Sequence, residues 1–203
     1  MGKRVYISAD YSENDGDRSV INELHKWAED NYHIIDFVDT AQVVSGSVSD
    51  EDDCRICDLK KEFNSQINVS SIIIFIVGDK TSTRTAGSAC SRIDTEYYNC
   101  YCTPYKQNTK GSKQCKHSIT SPADPDGDVG TINRYSYLRQ EFEQAKKKGK
   151  KIIILYNAFN KQSTWLPSYM KDYEYEALPF WTRNAKGEKV GDYANVKKAL
   201  GYE

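Results

Sequence analysis

The sequence predicts an α/β domain, a parallel sheet flanked by helices, and three observations carry that expectation. Two runs of apolar, mostly β-branched residues, "SSIIIFIVG" and "KKIIILY", show no polar–apolar alternation, the pattern of strands covered on both faces. Between the strand-like runs lie segments whose apolar residues recur at helical spacing. Strands and helices also alternate along the chain, which is the order that builds a parallel sheet with crossover helices.

Taken in order, Arg4 to Ala9 reads as the first strand, with Val5 and Ile7 on one side and Tyr6 on the other. "DYSENDGD" is a polar, turn-rich loop. Val20, Leu24, Trp27 and Ala28 then predict a helix from Asp17 to Asp30. "YHIIDFVD" is a short second strand. "TAQVVSGSVSDEDD" is a loop ending in a helix start, where Ser49 can cap and Glu51, Asp52 and Asp53 suit the positive end of the dipole. Ile56, Leu59, Phe63 and Ile67 form the stripe of that helix, and "SSIIIFIVG" is the third strand.

From about Asp79 to Asn133 the chain is polar, with scattered Tyr, four cysteines and "SPADPDGDVG". A stretch this long without periodicity is functional, disordered or an insertion with its own small structure. Regularity returns in "RYSYLRQEFEQAKKKGKKIIILY". Leu138, Phe142 and Ala145 make a helical stripe, the lysines suit the negative end of the dipole, Gly149 closes the helix, and "KKIIILY" is a further buried strand. The tail holds Trp165, Leu166, Tyr169, Phe180 and Trp181, then a helix-like "DYANVKKAL". The expected organisation is one domain over 1–203, with an insertion at 80–133 and a C-terminal extension at 157–203 packing on it. Ligands of such sheets bind beyond the carboxyl ends of the strands, so the loops after Ala9, Asp39 and Gly78 face a possible site.

Composition narrows the function. The chain has 203 residues, 38% hydrophobic and 28% charged, as suits a globular protein. Lys and Arg total 28 against 29 for Asp and Glu, which argues against a dedicated nucleic-acid binder. "KKKGKK" is therefore read as a helix end rather than a basic patch. No secretion signal, membrane span or N-myristoylation pattern is visible, so a cytoplasmic protein is expected. The six cysteines then read as thiols or metal ligands rather than a disulfide frame. Cys100, Cys102, Cys115 and His117 have the residue types for zinc, but the C-x-C and C-x-H spacing is not a common zinc-ribbon pattern, and partly buried thiols with no metal are expected. Cys54 and Cys57 read the same way.

One residue stands out. Glu141 lies three residues after Leu138 and four before Ala145, at the edge of an apolar helical face. A Glu in the first half of a helix complements the dipole and commonly does no more; Glu143 is expected to be that ordinary case.

Four segments together resemble a known family. "RVYISADYSEND" looks like the opening of the Toll/interleukin-receptor (TIR)-like domains of bacterial antiphage defence, the Thoeris type. "FVDTAQVVSGSVSDEDD" resembles their second strand and following loop, and "SSIIIFIVGDKTSTR" their third strand. "YLRQEFEQAKKKGKKIIILY" resembles the helix that carries an aromatic residue and, four positions later, the catalytic glutamate. The likeness spans roughly Lys3 to Tyr156 without the insertion. Tyr137 stands where the family often has Trp, the insertion is longer than usual, and the cysteines are not a family hallmark.

The resemblance implies a flavodoxin-like sheet, with the insertion before the helix the family counts as its fourth. It implies cleavage of NAD between nicotinamide and ribose, with NAD as substrate rather than cofactor and Glu141 as the catalytic group. It implies that the loop at Asp10 and Tyr11 lines the NAD pocket, an ordinary turn with a half-buried Tyr being the other reading. Asp39, at the end of the second strand, could bind a ribose hydroxyl, a turn-forming Asp being the simpler reading; Ser47 (in the polar loop Ser45, Gly46, Ser47) and Tyr137 are the further candidate NAD contacts. Arg84 and Arg139 could meet the pyrophosphate, solvated surface positions being the simpler reading. The implied product is an ADP-ribose-derived signal, cyclic in form, that activates a separate effector. A phage protein is the implied trigger and self-assembly the implied active state, without nucleic acid or membrane. Two other classes remain open: a TIR-like scaffold working through domain contacts, which would not need the glutamate, and a phosphoacceptor receiver domain, which lacks its Lys after "IIILY".

Overall fold

The computed structural model of the chain describes residues 3–9, 17–29, 35–39, 63–83, 105–107, 113–115 and 137–202. Among the described residues, five strands form the main sheet: β1 (Lys3–Ser8), β2 (Ile35–Asp39), β3 (Ile72–Val77), β6 (Lys151–Tyr156) and β7 (Leu178–Pro179). Their spatial order is β2-β1-β3-β6-β7, and every neighbouring pair is parallel. This is an α/β fold with the flavodoxin-like order, in which the chain reverses direction across the sheet between β1 and β3.

The register explains the two sequence runs that announced the sheet. Ile72 to Val77 of β3 pair residue by residue with Lys151 to Tyr156 of β6, and β3 also pairs with β1 from Val5↔Ile72 to Ser8↔Phe75. An interior strand of a parallel sheet is covered on both faces, and all six residues of β3 are buried.

Side chains alternate between two core layers. Val5, Ile7, Ile72, Ile74, Ile76, Ile153 and Leu155 face helix α1 (Asp17–Ala28), through Val20, Ile21 and Leu24, and helix α4 (Tyr193–Leu200), through Val196 and Leu200. Tyr6, Ile73, Phe75, Val77, Ile154 and Tyr156 face helix α2 (described over 63–69), through Phe63 and Ile67, and helix α3 (Tyr137–Lys147), through Leu138, Phe142 and Ala145. Phe75 and Phe142 meet edge-on, their centroids 5.4 Å apart.

Helix α3 ends as its sequence predicts. Gly149 takes φ +60°, Lys150 N–H donates to Ala145 C=O at 3.0 Å, and Gly149 N–H donates to Lys146 C=O at 3.0 Å. These are the two bonds of a Schellman closure, and a left-handed residue there favours glycine. Helix α1 ends at Ala28 rather than Asp30, and β2 is described over Ile35–Asp39, its expected start at Tyr32 lying outside the described residues.

Within the expected insertion, β4 (Tyr105–Gln107) and β5 (Lys113–Cys115) pair antiparallel. After β6, a 3₁₀ turn (Ser168–Tyr173) leads to β7, and β8 (Trp181–Arg183) pairs antiparallel with β9 (Lys189–Gly191). Residues 157–202 thus contribute a strand to the main sheet and, through α4, part of its core.

Candidate functional site

The carboxyl edge of the sheet carries a buried polar cluster at the end of β1. Tyr6 and Ser8 are two residues apart on a strand, so they share a face, and that face meets α3. Glu141 comes from the second turn of α3. The Tyr6 hydroxyl donates to Oε1 of Glu141 and the Ser8 hydroxyl donates to Oε2. All three side chains are 0% exposed.

Helical spacing placed Glu141 at the border of the apolar face; the structure corrects this to full burial. The reason is the width of the buried face. Gln140 and Gln144 pack towards α2, donating to Asn64 Oδ1 at 3.1 Å and Asn68 Oδ1 at 3.5 Å. With Gln140 and Gln144 buried on one flank and Leu138, Phe142 and Ala145 beside it, Glu141 falls inside the buried face. Burying a carboxylate without hydrogen bonds costs several kcal/mol; two hydroxyl donors offset that cost here. Glu143, two residues on, is only half-buried.

Tyr137, one turn before Glu141, is half-buried and stands edge-on to Phe63 at 5.5 Å. It packs α3 against α2 on the same side of the sheet as the carboxylate. Arg139 lies 5.3 Å from the ring centroid of Tyr169, a cation–π contact. Asp39 ends β2 with its backbone paired to Ile7, so it belongs to the same sheet edge; of this residue only the backbone is described. Asp10, Tyr11, Ser47 and Arg84 lie outside the described residues, as do Cys54, Cys57, Cys100, Cys102 and His117. Cys115 is described only as backbone of β5. Among the described residues no group of three or more His, Cys, Asp or Glu could hold a metal ion, and no helix is long and apolar enough to cross a membrane.

A second polar cluster lies at the same edge, on the face of α1. Asp17, at the start of α1, is 5% exposed. Asn157 Nδ2 donates to Asp17 Oδ1 at 3.0 Å, and Trp181 Nε1 donates to Asn157 Oδ1 at 2.6 Å. The chain leaves β3 through Gly78, whose N–H donates to Thr81 Oγ1 at 2.8 Å. The Asp17 carboxylate sits so close to Gly78 that a Cβ there would lie 2.7 Å from Oδ1. This cluster ties α1 to the ends of β3 and β6. A separate cavity of about 480 Å³, between β6 and α4 near Lys151 and Lys198, contains none of the candidate residues.

Tyr6 and Ser8 were not singled out from the sequence as site residues. Their signal was nonetheless present in "VYISA": two hydroxyls in alternation on the strand face opposite Val5 and Ile7.

Comparison with known proteins leaves the family open. No family model matches the chain, and no curated protein is significantly similar to it. Among solved structures, a prokaryotic SEFIR domain is similar at 12% identity and TM-score 0.42, covering 96% of this chain and 92% of that one. A β-glucosidase from Erythrobacter marinus is similar at 11% identity and TM-score 0.37, covering 84% of this chain and 21% of that one. Likenesses this distant carry no functional argument; the strand order assigns the fold, and the Glu141 cluster is the feature on which a functional reading rests.

Proposed function

We propose that the chain is an NAD-cleaving enzyme with Glu141 as its catalytic group, and that it makes an ADP-ribose-derived signal in antiphage defence. The observation that carries this reading is the fully buried Glu141 carboxylate at the carboxyl edge of β1, with a hydroxyl donor on each oxygen. A glutamate that merely complements a helix dipole belongs in solvent. One held inside the fold, at the sheet edge where ligands bind, suits chemistry that needs a fixed negative charge.

The reaction asks little else of the protein. The bond between the nicotinamide nitrogen and C1′ of the ribose breaks, its electron pair leaves with the ring, and the ring departs as neutral nicotinamide. No general acid is needed. Positive charge grows on the ribose, as in other oxocarbenium-like transition states, and a preorganised carboxylate stabilises it selectively there. Water or a nucleophile of the same molecule then captures C1′ and loses its proton, giving ADP-ribose or a cyclic form. In this reading the product acts on a separate effector in the cytoplasm, and a phage component triggers self-assembly.

The same two hydrogen bonds also support a second reading, a TIR-like scaffold in which Glu141 only cross-links α3 to β1. Incubating the purified chain with NAD, alone and with lysate of phage-infected cells, and identifying products by mass spectrometry separates the two. Release of nicotinamide supports the enzyme; intact NAD under both conditions supports the scaffold.

A further inference from the structure

We propose that Tyr6 and Ser8 are positioning residues that set the plane of the Glu141 carboxylate towards the substrate; this rests on the reading of Glu141 as the group that stabilises charge on the ribose. The last torsion of a glutamate is broad and roughly two-fold, so a carboxylate on a helix does not choose its own plane. Here two donors from one strand face choose it, Tyr6 Oη on Oε1 and Ser8 Oγ on Oε2. Neither donor is on a loop. β1 is an interior strand, paired with β2 from Lys3 to Ile7 and with β3 from Val5 to Ser8. Tyr6, Ser8 and Glu141 are each 0% exposed, so packing restricts their rotamers. Ser8 is the last residue of β1 and Tyr6 lies one pleat deeper. Tyr6 therefore anchors the carboxylate from the core side, and Ser8 from the side of the sheet edge where a ligand arrives.

A group held this way acts through Glu141 and not on the substrate, and the kinetics should show it. Tyr6→Phe keeps the buried ring and removes only the hydroxyl. The expected result is a fall in kcat for nicotinamide release of about 10- to 100-fold, the scale of a misplaced catalytic group. KM for NAD should stay within about twofold, because ground-state binding is untouched. Ser8→Ala should act in the same direction, and it provides the reading if Tyr6→Phe does not fold by circular dichroism. Wild-type kcat in both variants, with Glu141→Gln inactive, would overturn the positioning role and leave Glu141 in place. Wild-type turnover in Glu141→Gln would overturn the functional reading and the positioning role with it. A loss of kcat matched by an equal loss of folded protein would also overturn the proposal, since it would mark the hydroxyls as structural only.

Discussion

The Ser8 hydroxyl donates to the carboxylate of Glu141 across 133 positions of sequence, joining the last residue of β1 to the second turn of α3. With the matching bond from Tyr6, it makes the carboxylate a cross-link between sheet and helix. A stability consequence follows that is separate from catalysis. Glu141→Leu removes the acceptor of both buried hydroxyls and should cost about 2–4 kcal/mol, from the penalty of about 1–3 kcal/mol per buried polar group that loses its partner. Glu141→Gln keeps the shape and an acceptor oxygen, and its amide can donate to a rotated hydroxyl, so it should cost less than half as much. Urea unfolding of the two variants checks the order.

Gly78 and Asp17 are in close contact at the end of β3. A Cβ on residue 78 would stand 2.7 Å from Asp17 Oδ1, and Asp17 is held in turn by Asn157. Gly78→Ala should therefore destabilise by about 1–3 kcal/mol, the range for overpacking. In an Asp17→Ala background the penalty should largely vanish, because the colliding atoms are gone. A double-mutant cycle by thermal or denaturant melting measures the difference.

The burial of Tyr156 predicts a pH dependence of stability. Its side chain is 0% exposed, and its hydroxyl has no hydrogen-bond partner among the described residues. Burial, with a smaller contribution from Glu174, raises its pKa above the ordinary 10.0. The folded state thus prefers the neutral phenol. Its contribution to stability is fully present below the unfolded pKa and is lost as pH rises from about 10 through the folded value. Tyr156→Phe should abolish that part of the alkaline loss. At neutral pH it should be neutral or stabilising by up to about 1 kcal/mol, since it removes an unsatisfied buried hydroxyl. Stability measured from pH 8 to 11 on both proteins tests this.

Lys3 holds the last helix to the first strand. Its Nζ donates to Leu200 C=O at 2.8 Å and Gly201 C=O at 3.0 Å, and sits 4.2 Å from the Tyr202 ring centroid. These carbonyls end α4, where a cation is favoured by the dipole. Lys3→Met should cost about 1–2 kcal/mol, given two charge-assisted hydrogen bonds on a partly exposed group. Hydrogen exchange should show the end of α4 opening more readily than the rest of the helix.

What the sequence made legible was the part governed by local periodicity. The runs around Ile72–Val77 and Lys151–Tyr156, apolar without alternation, are neighbouring strands of the sheet that pair along their whole length. The helix expected in "DYANVKKAL" is α4, and the structure adds its cap: Asp192 accepts from Asn195 N–H at 3.2 Å. What periodicity could not supply was anything set by a partner distant in sequence. β7 is two residues, one of them Pro179, and exists because the end of β6 offers it an edge. Asp17 reads as a plain helix start, yet its carboxylate is turned to Asn157, 140 positions away. Glu141 falls on the border of its stripe by spacing; its burial depends on two hydroxyls of β1 and on α2 beneath Gln140 and Gln144.

The central claim concerns one carboxylate, and one comparison tests it most directly. Wild-type and Glu141→Gln protein, matched for fold by circular dichroism, are incubated with NAD under the condition in which the wild type turns over, and free nicotinamide is measured by mass spectrometry. The account predicts that Glu141→Gln remains folded and releases nicotinamide about 100- to 1,000-fold more slowly, the scale for removing a preorganised electrostatic group. Equal release from the two proteins would contradict it.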